Sequence, residues 1–314
     1  MCWVQACAAG WVAARRPPHG RKGRTGTAAR DAKAGAVRIY ISADMEGITG
    51  LVDAIDVQPG GADYERGRVM MTEDVNAAVR GALAAGATGI TVNDAHGPMR
   101  NVLPDLVHPA AALIRGRPKP MGMMEGLTGE FAAAVFIGYH ARAGALGVLS
   151  HSFMGHEIED MWLDGRPTGE IGLTHATAAA LGVPVVALSG DDAACAEMAA
   201  WDPAVTTVAV KQARDRFAAE LRPVAEAREA IEQSVAAAIR ASAGAARPAP
   251  DELARTLTIR WQSATAASQL GGIPGVKLTD SRTTEASGPM PDLFRLLGVF
   301  IRCAVAMNGQ GPYC

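Results

Sequence analysis

No Cys-x-x-Cys pair occurs in the 314 residues, and three of the five cysteines, Cys2, Cys7 and Cys314, lie in the two tails. A disulfide framework and zinc-finger spacing are thereby excluded, and a reducing, cytoplasmic setting is the expectation. A long uninterrupted apolar run is also missing. The nearest, "LFRLLGVFIRCAVAM", is broken by Arg295 and Arg302 and reads as a buried amphipathic helix, so no membrane partner is expected. Positive charge is scarce outside the N-terminus: residues 1–36 hold seven Lys/Arg and one acid, which leaves 23 bases against 31 acids. Such an acidic body argues against a nucleic-acid partner, because phosphate binding needs a basic surface. No P-loop occurs, and "GGIPG" is neither placed nor spaced as a dinucleotide fingerprint. "HEIED" (156–160) imitates the zinc-peptidase motif H-E-x-x-H, but Asp160 stands where the second histidine is required.

What is present is a chain, 49% hydrophobic, long enough to bury a large core. Residues 1–36 have no helix or strand period and are rich in Ala, Gly, Arg and Pro, which is the pattern of a disordered extension. A chain starting at Val37 is therefore expected to fold with full activity, and aggregation or metal loss on that truncation would contradict the reading. From Val37 onward strands and helices alternate. "VRIYISAD" reads as a strand, Thr72 as the cap of a helix bearing Val75, Val79 and Leu83 on one face, and "TGITVND" as the next, parallel strand. "FAAAVFIGYH" and "LGVLSHS" read as further strands, Asp164-Gly165 as a hairpin turn, "GEIGLTHATAAALG" as a helix and "VPVVALSGDD" as a strand. The expected fold is α/β: a three-layer α/β/α sheet domain over 37–215, followed by a smaller C-terminal α+β lobe over 216–314. That lobe opens with an Ala-rich helix near 223–243 whose apolar stripe is Val224, Ile231, Val235 and Ile239.

In "YISADMEGITG" an apolar strand runs straight into two carboxylates one residue apart. On a continuing strand Asp44 and Glu46 would share a face, and at an effective dielectric of about 20 their repulsion would be roughly 3 kcal/mol, which a cation would cancel. Ligands of open α/β sheets sit beyond the carboxyl ends of the strands, so the residues ending each strand are the candidates. They are Asp44 and Glu46, His96 in "NDAHG", His140 in "GYHAR" and His151 in "SHS", with Glu170 opening the helix after the hairpin. Each alone has an ordinary explanation: a loop acid, a turn histidine, or a carboxylate at a helix N-terminus. Together, carboxylates and imidazoles converging on one crevice make a ligand set for one or two divalent metals, most naturally zinc. "SGDD" also ends a strand in acids, but Asp191 and Asp192 are adjacent and would point apart, so N-capping by one of them is the better account.

The motifs "DMEGI", "YERGR", "MTEDVNAA", "VNDAHG", "GYHARA", "GVLSHS", "PTGEIGL", "SGDD" and "VAVKQA", in that order, resemble the D-stereospecific zinc aminopeptidases of the dipeptide-transport operon type over Val37 to about Asn308. The resemblance implies two zinc ions per subunit held by Asp44, Glu46, His96, His140 and Glu170, with His151 as the catalytic histidine. It implies short peptides with an N-terminal D-residue as substrates, and a homo-oligomer, a decameric ring enclosing its active sites. It casts His151 as nucleophile, whereas its lack of a triad partner pattern leaves proton transfer and oxyanion stabilisation open, and a metal-activated water favours those. Two other functions fit the same residues: an amidase for other small amides, and a non-catalytic metal-loaded peptide-binding module. Met70, Met71, Met121, Met123 and Met124 suit an oligomer interface or, better, core.

Overall fold

The computed structural model describes residues 37–308, and the extension over 1–36 lies outside them. In chain order the elements are β1 (Arg38–Ala43), α1 (Ala54–Val57), α2 (Tyr64–Ala84), β2 (Gly89–Asp94), β3 (Ala111–Ile114), β4 (Ala133–Tyr139), β5 (Ile158–Leu163), β6 (Arg166–Pro167), α3 (Glu170–Ala180), β7 (Val185–Asp191), α4 (Asp192–Trp201), β8 (Thr206–Asp215), β9 (Ala218–Leu221), α5 (Val224–Ser242), β10 (Ala254–Trp261), α6 (Ala264–Leu270), β11 (Val276–Asp280), β12 (Thr283–Pro289) and α7 (Met290–Asn308).

Strand β1 shows why the sheet is covered on both faces. Ile39 and Ile41 join the core beneath α2 and α5, while Tyr40 turns to the opposite core with Phe131 and Phe136. The strand can therefore be apolar throughout, as parallel strands buried on both sides are. The main sheet runs β3-β2-β1-β4-β7-β8-β9, parallel except for the β8–β9 edge hairpin. Helices α2 and α5 pack on one face and α3 and α4 on the other. From β1 the chain moves outward to β2 and β3, then returns to place β4 on the far side of β1. The point where strand order reverses thus lies between β1 and β4, the position at which open α/β sheets bind their ligands.

Local expectations needed several corrections. Helix α2 begins at Tyr64, eight residues before Thr72, so Thr72 is no cap; its hydroxyl donates to Arg68 O at 2.8 Å inside the helix. "LGVLSHS" is irregular backbone, with Leu149 at φ 54°. Val224 is exposed in the first turn of α5, whereas Ile231, Val235 and Ile239 are buried as expected. Each such burial stabilises by roughly 1.5–3 kcal/mol. The boundary at residue 215 does not coincide with the division between sheets. Helix α5 packs on α2 and β8 and belongs to the first sheet, while β5 and β6 leave the first half of the chain to join the second sheet, ordered β11-β12-β10-β5-β6. Long-range pairing of β5 with β10 decides this, and no local pattern announces it. The Asp164-Gly165 turn is as expected, with φ of 52° and 77°. Met71, Met123 and Met124 are core. Among the described residues no helix is long and apolar enough to cross a membrane.

Candidate metal centre

Strand β1 ends at Ala43, one residue before the first carboxylate, so Asp44 and Glu46 sit on a tight turn and not on a continuing strand. That turn folds over the end of β4: Asp44 N donates to Ile137 O and Gly47 N to Gly138 O, both at 2.8 Å. Glycine is required at the crossing. A Cβ on Gly47 would lie 2.0 Å from Tyr139 O, and one on Gly138, at φ 72°, would lie 2.3 Å from Asp44 O. The two backbones are pressed together, which brings the carboxylates over the mouth of β4 and toward His140.

His96 follows β2 and is aimed by the buried Asp94, whose carboxylate accepts from Asn101 N at 2.5 Å and Val102 N at 2.7 Å and so closes the 95–102 loop. His96 Nε2 donates to Val57 O at 2.9 Å, which leaves Nδ1 facing Glu46 Oε2 at 3.0 Å and Asp44 Oδ1 at 3.4 Å. His140 Nδ1 likewise donates to Ala141 O at 3.0 Å, leaving Nε2 3.5 Å from both Asp44 Oδ2 and Glu170 Oε2. Backbone contacts thus fix the tautomer of each ring and point a lone pair inward. Glu170 is the first residue of α3, and its Oε1 accepts from Phe153 N at 2.7 Å.

His151 arrives on the irregular 148–157 loop. Leu149 and Phe153 have φ of 54° and 56°, conformations that side chains other than glycine hold only when their surroundings insist. Here Val148 N donates to Asp191 Oδ2 at 2.6 Å and Leu149 N to Arg216 O at 2.8 Å. The His151 ring stacks on His140 with centroids 4.3 Å apart, donates from Nδ1 to Leu149 O at 2.8 Å, and holds Nε2 3.9 Å from Glu46 Oε1 and Glu170 Oε1. It is the most open of the three imidazoles, its side chain 20% exposed. Asp191 also caps α4 by accepting from Ala194 N, as expected of "SGDD". His156, of the H-E-x-x-H imitation, is exposed in the turn before β5.

All six candidate residues therefore converge. Three triplets of donor atoms could each hold a metal ion: Asp44, Glu46 and His96; Asp44, His140 and Glu170; and Glu46, His140 and His151. Asp44 Oδ2 and His140 Nε2 are buried with no hydrogen-bond partner, a costly arrangement for two polar atoms unless a cation sits between them. The donor set of carboxylates and imidazoles fits zinc.

The charges are tightly linked. Burial and the neighbouring Glu46 push Asp44 up to about 8. For Glu46 burial also pushes upward, but the imidazoles of His96, His140 and His151 outweigh it and hold the carboxyl well below its usual range. Glu170 is lowered in the same way, chiefly by His140. Burial opposes protonation of His96 and His140, yet the carboxylates facing them raise both well above the ordinary value. His151 is lowered, by burial and then by His140. Burial also lowers Lys211, an ammonium beneath the 46–51 turn, to about 8.

These shifts give the metal-free chain a pH dependence. Asp44, His96 and His140 hold protons more tightly folded than unfolded, so the two histidines stabilise fully below about 6.5 and that stability is lost as pH climbs through their folded values. Glu46 and Glu170 act oppositely, stabilising above about 4.5 and losing that contribution as pH falls. The thermal midpoint of chelator-treated protein is therefore expected to fall from pH 6 to pH 8, below the range in which Lys119 and Lys211, both lowered to about 8, shed their protons in the folded chain and offset the loss. A flat profile over that interval would contradict the coupling.

A profile of the D-aminopeptidase family of peptidases matches residues 37–299. The chain belongs to that family. It is similar to a D-aminopeptidase of Bacillus subtilis (strain 168), with 38% identity over 248 residues, 79% of this chain and 90% of that protein. It is also similar to a solved structure described as the Zn-dependent D-aminopeptidase DppA from Bacillus subtilis, a self-compartmentalizing protease. That likeness has a TM-score of 0.82 at 34% identity and covers 88% of this chain and 100% of the other. The member described here is accordingly an enzyme of the peptidase class with an α/β fold. Lys119 and Lys211, two buried lysines that tether the loops carrying the candidate ligands, were missed in the sequence reading; "VAVKQA" is the one motif that contained such a signal.

Proposed function

We propose that this family member is a dinuclear zinc aminopeptidase that removes the N-terminal D-residue from short peptides of the D-Ala-D-Ala type. The observation that carries the reading is the position of Asp44, whose two oxygens face two different imidazoles, Oδ1 toward His96 and Oδ2 toward His140. A carboxylate so placed suits a bridge between two ions, with Glu46 and His96 on one side and His140 and Glu170 on the other. When bound, such a pair polarises the scissile carbonyl and acidifies a water so that attack occurs near neutral pH. The residues of the chain do the rest. His151 keeps Nε2 free because Nδ1 is committed to Leu149 O, and its lowered pKa leaves it neutral near pH 7. It can accept the proton released by the attacking water and return it to the leaving amine.

The structural neighbour's self-compartmentalizing character supports a homo-oligomer here, and a decameric ring with inward-facing sites is the assembly proposed. Free thiols at Cys195 and Cys303 suit the cytoplasm. Purified protein is expected to carry close to two zinc ions per chain, fewer in His96→Ala or Glu170→Ala; a folded, untreated sample with no metal would sink the site. The deciding assay compares D-Ala-D-Ala with a simple D-amino-acid amide on zinc-loaded protein. Faster turnover of the peptide supports the aminopeptidase, turnover of the amide alone makes it an amidase, and zinc binding without either makes it a binding module.

A further inference from the structure

Lys211 is 1% exposed, in the middle of β8. Its neighbours Val208 and Val210 enter the core under α5, and Lys211 reaches beneath the turn that follows β1, whose Ile48 and Leu51 belong to that same core. There its ammonium donates to three carbonyls of one segment: Glu46 O at 2.6 Å, Ile48 O at 3.0 Å and Leu51 O at 2.5 Å. A lysine has three N–H donors, and here all three are spent on a single loop. The loop's first residue is Glu46, 165 positions earlier in the chain. Gathering three carbonyl oxygens around one positive centre is what a structural cation does, and the lysine supplies that centre from the protein itself. The remaining tethers of the turn, from Asp44 N and Gly47 N to β4 and from Thr49 N to Asp74 Oδ2 at 2.9 Å, fix other points along it.

We propose that Lys211 is a positioning residue for the metal centre, holding the 46–51 loop in the one shape that aims the Glu46 carboxylate at His96. The proposal rests on Glu46 being a zinc ligand. Groups that orient ligands from behind commonly contribute 10- to 100-fold in metal affinity or activity. Loss of Lys211 should therefore be felt at the zinc nearer Glu46 and in kcat, with KM changing less, since an ammonium 1% exposed cannot itself touch a peptide.

The test uses the full chain loaded with zinc. Lys211→Ala removes three methylenes and a nitrogen, the atoms of n-propylammonium. The variant is expected to hold one of its two ions about 10- to 100-fold more weakly in competition with a chromophoric chelator, and to lose kcat by a similar factor on D-Ala-D-Ala. Added n-propylammonium should restore both, whereas sodium chloride at equal ionic strength should not. A folded variant with unchanged zinc affinity overturns the proposal, as does a loss that n-propylammonium does not reverse, which would make Lys211 a packing residue. Should the variant not fold, reductive methylation of the wild type decides: zinc should slow labelling of Lys211 relative to the exposed Lys277, and equal slowing or none overturns the coupling. A wild-type chain that binds no zinc overturns the proposed function along with this inference. Two ions in the wild type with an unaffected variant overturn this inference alone.

Discussion

Asp44→Asn is expected to empty the proposed zinc centre and to lower kcat/KM by about 10³-fold or more, the loss corresponding to several kcal/mol of metal-supplied transition-state stabilisation. The size follows from its position. Asp44 lies close to both His96 and His140, one oxygen toward each at 3.4 and 3.5 Å, whereas Glu46 reaches His96 at 3.0 Å but the other side of the centre only at 3.9 Å, through His151. An amide keeps the shape but turns one acceptor oxygen into a donating NH2 and removes the negative charge that would balance two dications. Metal analysis of the purified variant reads the result directly. Retention of one full equivalent would show that Asp44 serves a single ion, and retention of both with normal turnover would remove it from the centre. Folding should survive, because Asp44 forced to ionise in its buried site is a burden on the metal-free chain, as its rise to about 8 indicates.

His151→Ala should behave in the opposite way, keeping its zinc and assembly state while kcat falls by roughly 10²-fold or more, the range for a positioned acid/base or oxyanion donor. KM should change little, since an interaction made mainly in the transition state lowers kcat and kcat/KM alike. His151 Nε2 stands 3.9 Å from its nearest carboxylate oxygens, farther than the corresponding atoms of His96 and His140, and its side chain is the most open. Loss of one zinc ion would instead make His151 a ligand, as the triplet of Glu46, His140 and His151 permits. Near-normal kcat would make it a structural histidine.

The ligand cluster was legible because parallel strands deliver their carboxyl ends to one edge: once β1, β2 and β4 are recognised as strands, Asp44, His96 and His140 must be neighbours. Glu170 was readable for a related reason, as the first residue of a helix that starts after a hairpin. The shape of the 148–157 loop was not readable, since the contacts that bend it at Leu149 come from Asp191 and Arg216, distant in sequence. The apolar letters of "LGVLSHS" looked like a strand, and tertiary hydrogen bonds overrode them. Lys211 was opaque for the same reason. A lysine in a strand ordinarily reads as an edge charge, and only the fold shows three carbonyls waiting for it. The division at residue 215 failed because β5 finds its partner β10 across most of the C-terminal half, and pairing over such distance leaves no mark in a short window.

That pairing also sets an order of events during synthesis. The hairpin β5–β6 and the helix that begins with Glu170 leave the ribosome well before β10 and α7, against which β5 and α3 pack. At roughly 5–20 residues per second, the stretch from residue 170 to the end of α7 takes on the order of ten seconds to appear. Throughout that interval Asp44, Glu46, His96 and His140 can already be assembled on the nascent sheet, while the helix that carries Glu170 still lacks its contact with α7. A ribosome-bound fragment ending before β10 would therefore carry β5 without its strand partner and α3 without the helix that packs on it.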